Sequence, residues 1–122
     1  FGPRKMVMGA LTGEVRLGNI HARRDWGFAG DYVAAMWRML QQKTPQDLVI
    51  ATGETHSVED FIAEVRKYVP KFKVVIDERF KRPAEVSHLE GDAKKAKRVL
   101  RWRPTTKFQE LVKMMVDAEY MR

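Results

Sequence analysis

Two short stretches carry the residue types best suited to chemistry. HARRDWG, residues 21–27, sets Arg23 and Arg24 against Asp25 and Trp26, and FKRPAEV, residues 80–86, sets Arg82 against Pro83 with Glu85 close behind. The first reads as an extended or looped segment. The second is irregular, because Pro83 blocks a helix and biases Arg82 towards an extended backbone. A loop arginine beside rigid residues suits bidentate recognition of phosphate oxygens, since the planar guanidinium loses little freedom on binding. The same placement equally serves a structural ion pair, with Asp25 or Asp31 as the partner of Arg24. Glu85 can accept from a guanine edge or a sugar hydroxyl, or simply stand solvated. Arg23 reads as surface charge.

Other chemistries are excluded by what is missing. No GxGxxG follows a strand and no GxxxxGK[ST] occurs, so neither common nucleotide-binding loop is present. There is no nucleophile elbow and no paired-histidine zinc motif. A Tyr-x-x-x-Lys pair is absent too: Tyr32 is followed four positions later by Met36, Tyr68 has its lysine at Lys71, and Tyr120 lies at the chain end. Cysteine is absent, and His21, His56 and His88 lack metal-ligand spacing. Catalytic, cofactor-binding and metal residues are therefore expected to be none.

A formal net charge of +7 over 122 residues favours polyanions or phosphorylated small molecules. Lys94, Lys95, Lys97 and Arg98 read as the solvated face of a short helix, and no helix-turn-helix or aromatic RNA-binding strand accompanies them. No apolar run approaches membrane-spanning length and no secretory leader opens the sequence, so the cytoplasm is the expected compartment.

The elements that must position the arginines follow from periodicity. Pro3 starts a helix to Leu11, Glu14 to Leu17 is a short strand, and Gly18 with Asn19 turns the chain. From Asp31 to Gln42, Val33, Met36, Trp37 and Leu40 mark one buried helical face. DLVIAT reads as a buried, parallel strand. Ser57 with Asp60 resembles a capping box for a helix carrying Val58, Phe61, Ile62, Val65 and Val69, which Pro70 ends. FKVVID is a second strand, Asp92 caps a basic helix through Leu100, and a last helix starts at Thr106 with Gln109 in the reciprocal capping position. Trp26, Trp37 and Trp102 read as core or domain-contact residues. The whole is a small mixed α/β unit of about five helices and three or four short strands.

GNIHARRDWGFAGDYVAAMW, DLVIATGETHSV, FKRPAEV and GDAKKAKRVLRWRP resemble, in this order, the C-terminal half of the GDP-mannose 4,6-dehydratases, which are extended short-chain dehydrogenases/reductases. The similarity covers essentially the whole chain. Its nearest competitors are the GDP-4-keto-6-deoxymannose reductases, which share the RDW-type arginine. The resemblance implies an enzyme that holds NADP in an amino-terminal Rossmann domain and GDP-mannose in a smaller carboxy-terminal domain. Hydride leaves C4 of the mannosyl ring for NADP, water is eliminated across C5 and C6, and the hydride returns to C6. The catalytic Thr/Ser, Glu and Tyr-x-x-x-Lys groups belong to the amino-terminal half, so residues 1–122 are expected to be the substrate-binding domain without its Rossmann half, binding no cofactor and inactive alone.

Carried over by motif, Lys5 resembles the family's substrate-contacting lysine, Arg24 and Arg82 the arginines that hold the GDP diphosphate and its neighbourhood, and Glu85 the acidic group near the ribose or guanine. The expected partners are GDP-mannose, a Rossmann-half chain and further copies of the chain, with no membrane. A domain lacking its Rossmann half would expose apolar surface around Trp26, Phe28 and the first helix. Three features depart from the family pattern. Only Pro70 and Lys71 separate helix from strand, Lys81 replaces an apolar residue, and Arg101 stands where LGW has glycine. The alternative is a non-catalytic basic module for nucleic acid or a protein partner.

Overall fold

The computed structural model describes residues 2–121. In chain order these form α1 (Pro3–Thr12), β1 (Glu14–Leu17), β2 (Arg23–Arg24), α2 (Ala29–Leu40), β3 (His56–Ser57), α3 (Val58–Arg66), β4 (Lys73–Ile76), a 3₁₀ turn (Glu78–Phe80), α4 (Lys94–Leu100) and α5 (Phe108–Tyr120). The expected small α/β unit with five helices and short strands is what forms.

Local signals set several boundaries. Pro3 opens α1, where its missing N–H is not needed, and Gly13 ends it at φ 108°, a left-handed position that glycine fills without strain. Ser57 and Asp60 make the capping box of α3 in both directions, at 3.0 and 2.9 Å. β1 and β4 pair in parallel, Val15 opposite Val74 and Leu17 opposite Ile76. Val15 and Leu17 face the core while Glu14 and Arg16 face solvent. α3 ends at Arg66, ahead of Pro70, so residues 67–72, and not Pro70 and Lys71 alone, connect it to β4. Arg66 closes that connection, donating to the carbonyl of Phe72 at 3.0 Å and lying 4.2 Å over its ring.

Two apolar clusters result. The larger joins Met6, Val7 and Ala10 of α1 to Val15 and Leu17, to Phe61 and Val65 of α3, and to Val112 and Val116 of α5. The smaller is alanine-rich: Ala35, Ala51, Ala93 and Ala96 meet Leu100 and Trp102. Asp31, in the first turn of α2, ties this second cluster down. Its carboxylate accepts from the Thr105 hydroxyl at 2.8 Å and from the N–H groups of Thr105 and Thr106 at 3.1 and 3.0 Å. Burial pushes the Asp31 carboxyl up, but these hydrogen bonds prevail and hold it below the ordinary range.

Three further expectations fail. The face of α2 read as buried is exposed, with Val33 at 60%, Met36 at 58%, Trp37 at 63% and Leu40 at 82%; α2 buries Asp31 and Ala35 instead. DLVIAT lies in neither a helix nor a strand, and it joins neither of the two sheets of the described chain. The last helix begins at Phe108 after an uncapped Lys107, because the Thr106 N–H is already given to Asp31.

Candidate functional site

β2 is the element that aims the two arginines. It pairs antiparallel with β3, Arg23 opposite Ser57 and Arg24 opposite His56. Its other edge meets the chain after the second arginine stretch: Arg23 N–H donates to Ser87 at 2.8 Å, and Leu89 N–H donates to Arg23 at 3.0 Å. The two motifs quoted from the sequence are thus stitched side by side.

Adjacent residues on a strand point to opposite sides. Arg23 turns towards β3 and α3: Nε donates to the Thr55 hydroxyl at 3.1 Å, Nη2 to the Thr55 carbonyl at 2.9 Å, and Nη1 stands 3.7 Å from Asp60. It is a structural clamp, not free surface charge. Arg24 turns the other way, with Nη1 donating to the Arg23 carbonyl at 2.8 Å and Nη2 standing 3.7 Å from Glu85 Oε1. That last pair is an ion pair too long for a hydrogen bond. The second Glu85 oxygen accepts from Asn19 Nδ2 at 3.1 Å, and Asn19 Oδ1 in turn accepts from His21 N–H at 2.9 Å. With side chains 30% and 25% exposed, Arg24 and Glu85 are half-sheltered yet reachable from solvent.

Asp25 does not pair with Arg24, nor does Asp31. Asp25 instead collects Thr52 N–H at 2.9 Å, the Thr52 hydroxyl at 2.6 Å, Gly53 N–H at 2.9 Å and Gly91 N–H at 3.3 Å. Trp26 donates its indole N–H to the His56 carbonyl at 2.8 Å and stacks on Phe61 with centroids 5.0 Å apart. Both residues fix the loop, and Trp26 and the buried side of α1 belong to the core rather than to an exposed apolar patch.

The 80–86 loop is pinned at its start by two contacts. Gly18 packs on it so closely that a Cβ there would lie 2.5 Å from the Phe80 carbonyl carbon and oxygen. Asp77 accepts from Arg79 at N–H, Nε and Nη2, at 3.0, 3.0 and 2.7 Å. The Arg79 side-chain and backbone hydrogen bonds bring the Asp77 carboxyl down to about 2. Arg82 projects from the loop into solvent, and Lys5 lies on the exposed face of α1. The structure therefore brings Arg24 and Glu85 together and leaves Lys5 and Arg82 reaching outward.

Sequence reasoning missed Asn19, which reads only as a turn former, and the opposed roles of Arg23 and Arg24, which a strand assignment with period two would have separated. A cleft of about 50 Å³ beside Trp26, Thr52, His56 and Phe108 is too small for a sugar nucleotide, and a basic depression lies at Lys97, Arg101, Trp102 and Arg103. Neither is lined by the four candidate residues. Among the described residues no group of three or more His, Asp or Glu could hold a metal, and no helix is long and apolar enough to cross a membrane.

Comparison with known proteins identifies relatives of the chain as a whole. The family model for GDP-mannose 4,6 dehydratase matches residues 4–115. GDP-mannose 4,6 dehydratase 2 of Arabidopsis thaliana is 58% identical across 89% of this chain, and the Homo sapiens GDP-mannose 4,6 dehydratase 44% identical across 87%. The match covers only 30% and 34% of those proteins, so the chain spans about a third of their length. Among solved structures, a putative epimerase from Burkholderia cenocepacia superposes with TM-score 0.88 at 25% identity, covering 98% of this chain and 41% of that one. RMD from Pseudomonas aeruginosa, solved with NADPH, shares the fold at TM-score 0.77 and 16% identity over 94% of this chain and 39% of its own.

Proposed function

The chain belongs to the GDP-mannose 4,6 dehydratase family, and from that membership we propose that it is the GDP-mannose-binding portion of such an enzyme, acting in the cytoplasm with a cofactor-binding Rossmann portion. The observation that carries the reading is the Arg24–Glu85–Asn19 cluster, which joins the RDWG and RPAEV stretches on one accessible face.

On this reading the guanidinium of Arg24, aligned by β2 and by Glu85, receives diphosphate oxygens, and Arg82 swings in from its loop as a second fork. Glu85 exchanges part of its pairing for a ribose hydroxyl or guanine N–H, and Lys5 adds a point charge. None of these groups moves a proton or hydride. Their task is to hold the sugar where the other portion reacts with it.

NADP, which the family uses, does not fit this chain. A dinucleotide needs a strand, a glycine-rich turn and a helix amino terminus aimed at the pyrophosphate. Here β1 runs into bends at Gly18, Ile20 and His21 ahead of β2, and β4 into a 3₁₀ turn. The hydride steps accordingly belong outside the residues described.

Calorimetric titration with GDP-mannose, with UDP-glucose as control, tests the reading. Arg24→Ala and Arg82→Ala should each weaken GDP-mannose binding roughly 10- to 100-fold, the range of a lost charge-assisted hydrogen bond at about 1.5–3 kcal/mol. Undiminished binding by both variants, or equal affinity for UDP-glucose, refutes the assignment.

A further inference from the structure

We infer that the open depression beside the end of α4 is an anion site of its own, taking the diphosphate group of a small molecule between Lys97, Arg101 and Arg103. It shares no residue with the Arg24–Glu85 cluster and is independent of the substrate reading above.

The charge there is concentrated and unanswered. Lys97, Arg101, Trp102 and Arg103 line the depression, and no carboxylate does. Among the described residues, the three cationic side chains make no hydrogen bond and no ion pair. Lys97 and Arg101 stand one helical turn apart, a spacing at which like charges repel. Arg101 adds a second cost, for it holds φ 52°, the left-handed region that glycine fills freely and other residues enter at a penalty. An arginine kept at such a position, without a partner in the described chain, points to a partner outside it.

The scaffold holds these cations in place. Trp102 is buried, at 4% exposure, between the exposed Arg101 and Arg103, and its indole N–H donates to the Asp31 carbonyl at 2.9 Å. That anchor fixes the spacing of the two guanidinium forks. A helix C-terminus ordinarily repels an anion through its free carbonyls. Here Arg38 of α2 removes the obstacle, since its Nη1 donates to the carbonyls of both Leu100 and Arg101. Arg38 also brings a further positive charge to the same helix end.

The lining selects the class of ligand. Two planar forks and an ammonium group match phosphate oxygens, and with three cations so close a diphosphate balances the charge better than a monophosphate. The volume, about 430 Å³, suits a small molecule. Buried Trp102 offers no open ring for a base to stack on, and the lining has no acidic group for a ribose hydroxyl or a base edge. Recognition therefore rests on the phosphates. A nucleic acid strand, which is held by stacking as well as charge, is disfavoured.

The test titrates the 122-residue chain with sodium pyrophosphate and follows its backbone amides by nuclear magnetic resonance, with ADP and sulfate as comparators. Saturable shifts are expected at residues 97–103 and at the Trp102 indole, with a Kd of about 0.1 mM. Arg101→Gly and Arg103→Gln should each weaken that binding about tenfold or more, read at Leu100 and Trp102, whereas Arg24→Ala should leave it within about twofold. Arg101→Gly relieves the left-handed backbone, so this variant folds at least as stably as the wild type and its loss of binding cannot come from unfolding. Arg101→Lys, which keeps the charge without the fork, should lose less than Arg101→Gly. ADP binding as tightly as pyrophosphate supports the site with a nucleotide as the source of the diphosphate; much weaker ADP binding supports it with free pyrophosphate as the source. Residues 97–103 that do not respond, an equal response to sulfate, or wild-type binding by the variants at 101 and 103 overturns the proposal. Loss of pyrophosphate binding in Arg24→Ala alone also overturns it, placing diphosphate recognition wholly at the Arg24–Glu85 cluster and leaving the substrate reading intact.

Discussion

Removing the Asp31 carboxylate should loosen half of this molecule. Three donors converge on it, the Thr105 hydroxyl and the N–H groups of Thr105 and Thr106, while the Trp102 indole N–H donates to the Asp31 backbone carbonyl at 2.9 Å. A hydrogen bond to a charged group contributes about 1.5–3 kcal/mol, but the three share one acceptor and Thr105 is exposed enough for water to replace some of the loss, so about 3 kcal/mol is expected for Asp31→Ala. That figure includes some tenths from losing a negative charge in the first turn of α2. At about 4 °C per kcal/mol for a domain of this size, the melting temperature should fall by roughly 12 °C. Asp31→Asn, which keeps an acceptor oxygen without the charge, should lose about half as much. The sign with pH follows from the lowered carboxyl. Its contribution is complete above the ordinary carboxylate range and is lost as pH falls through the depressed folded value, so the wild-type and Asn curves should converge in acid. Urea denaturation followed by circular dichroism, repeated from pH 7 down to pH 3, measures all three effects. A cost below 1 kcal/mol for Asp31→Ala, or a constant gap between wild type and Asn across that range, would refute the argument.

Gly18→Ala should disturb the site without touching a ligand. Its methyl would sit 2.5 Å from the Phe80 carbonyl, so the 80–86 loop must shift, at about 1–3 kcal/mol, with weaker GDP-mannose binding by calorimetry. Gly2→Ala, which meets nothing within 4 Å, should leave binding unchanged. Arg101 ends α4 with φ 52°, and Arg101→Gly should raise stability by about 1 kcal/mol in urea titration, since a side chain is disfavoured in that region. Asp77→Asn should flatten the acid limb of the stability curve. The wild-type carboxyl, lowered to about 2 by Arg79, contributes above the ordinary carboxylate range and loses that contribution as pH falls towards 2.

Local rules were sufficient wherever a local rule decides. Pro3, Gly13 and the Ser57–Asp60 box place their helix ends correctly, because a cap is a contact between residues three or four apart. The two strands that pair in parallel were legible locally, β1 from its alternation and β4 as a β-branched run. Burial of α2 was misread from periodicity alone. Val33, Met36, Trp37 and Leu40 carry a proper apolar stripe, and DLVIAT a proper strand composition, but periodicity reports which side wants cover and not what supplies it. The start of α5 was misplaced because Asp31, far away in sequence, takes the N–H groups that a Thr106 cap would have organised. Arg24 and Glu85 were named from their motifs, and the structure adds that they stand as an ion pair. Asn19 and Arg23 were missed because their roles depend on β2 lying between β3 and residues 87–89.

β2 is only two residues long, and both are arginine. Since the side to which each points is set by strand parity alone, a one-residue insertion or deletion between Asn19 and Arg23 would exchange the anchor of Thr55 and Asp60 for the arginine beside Glu85 while the text of the motif stayed the same. Sequence comparison across this stretch must therefore preserve spacing as well as letters: a relative with RRD one position out of register has an arginine to count but has aimed it at the wrong side of the strand.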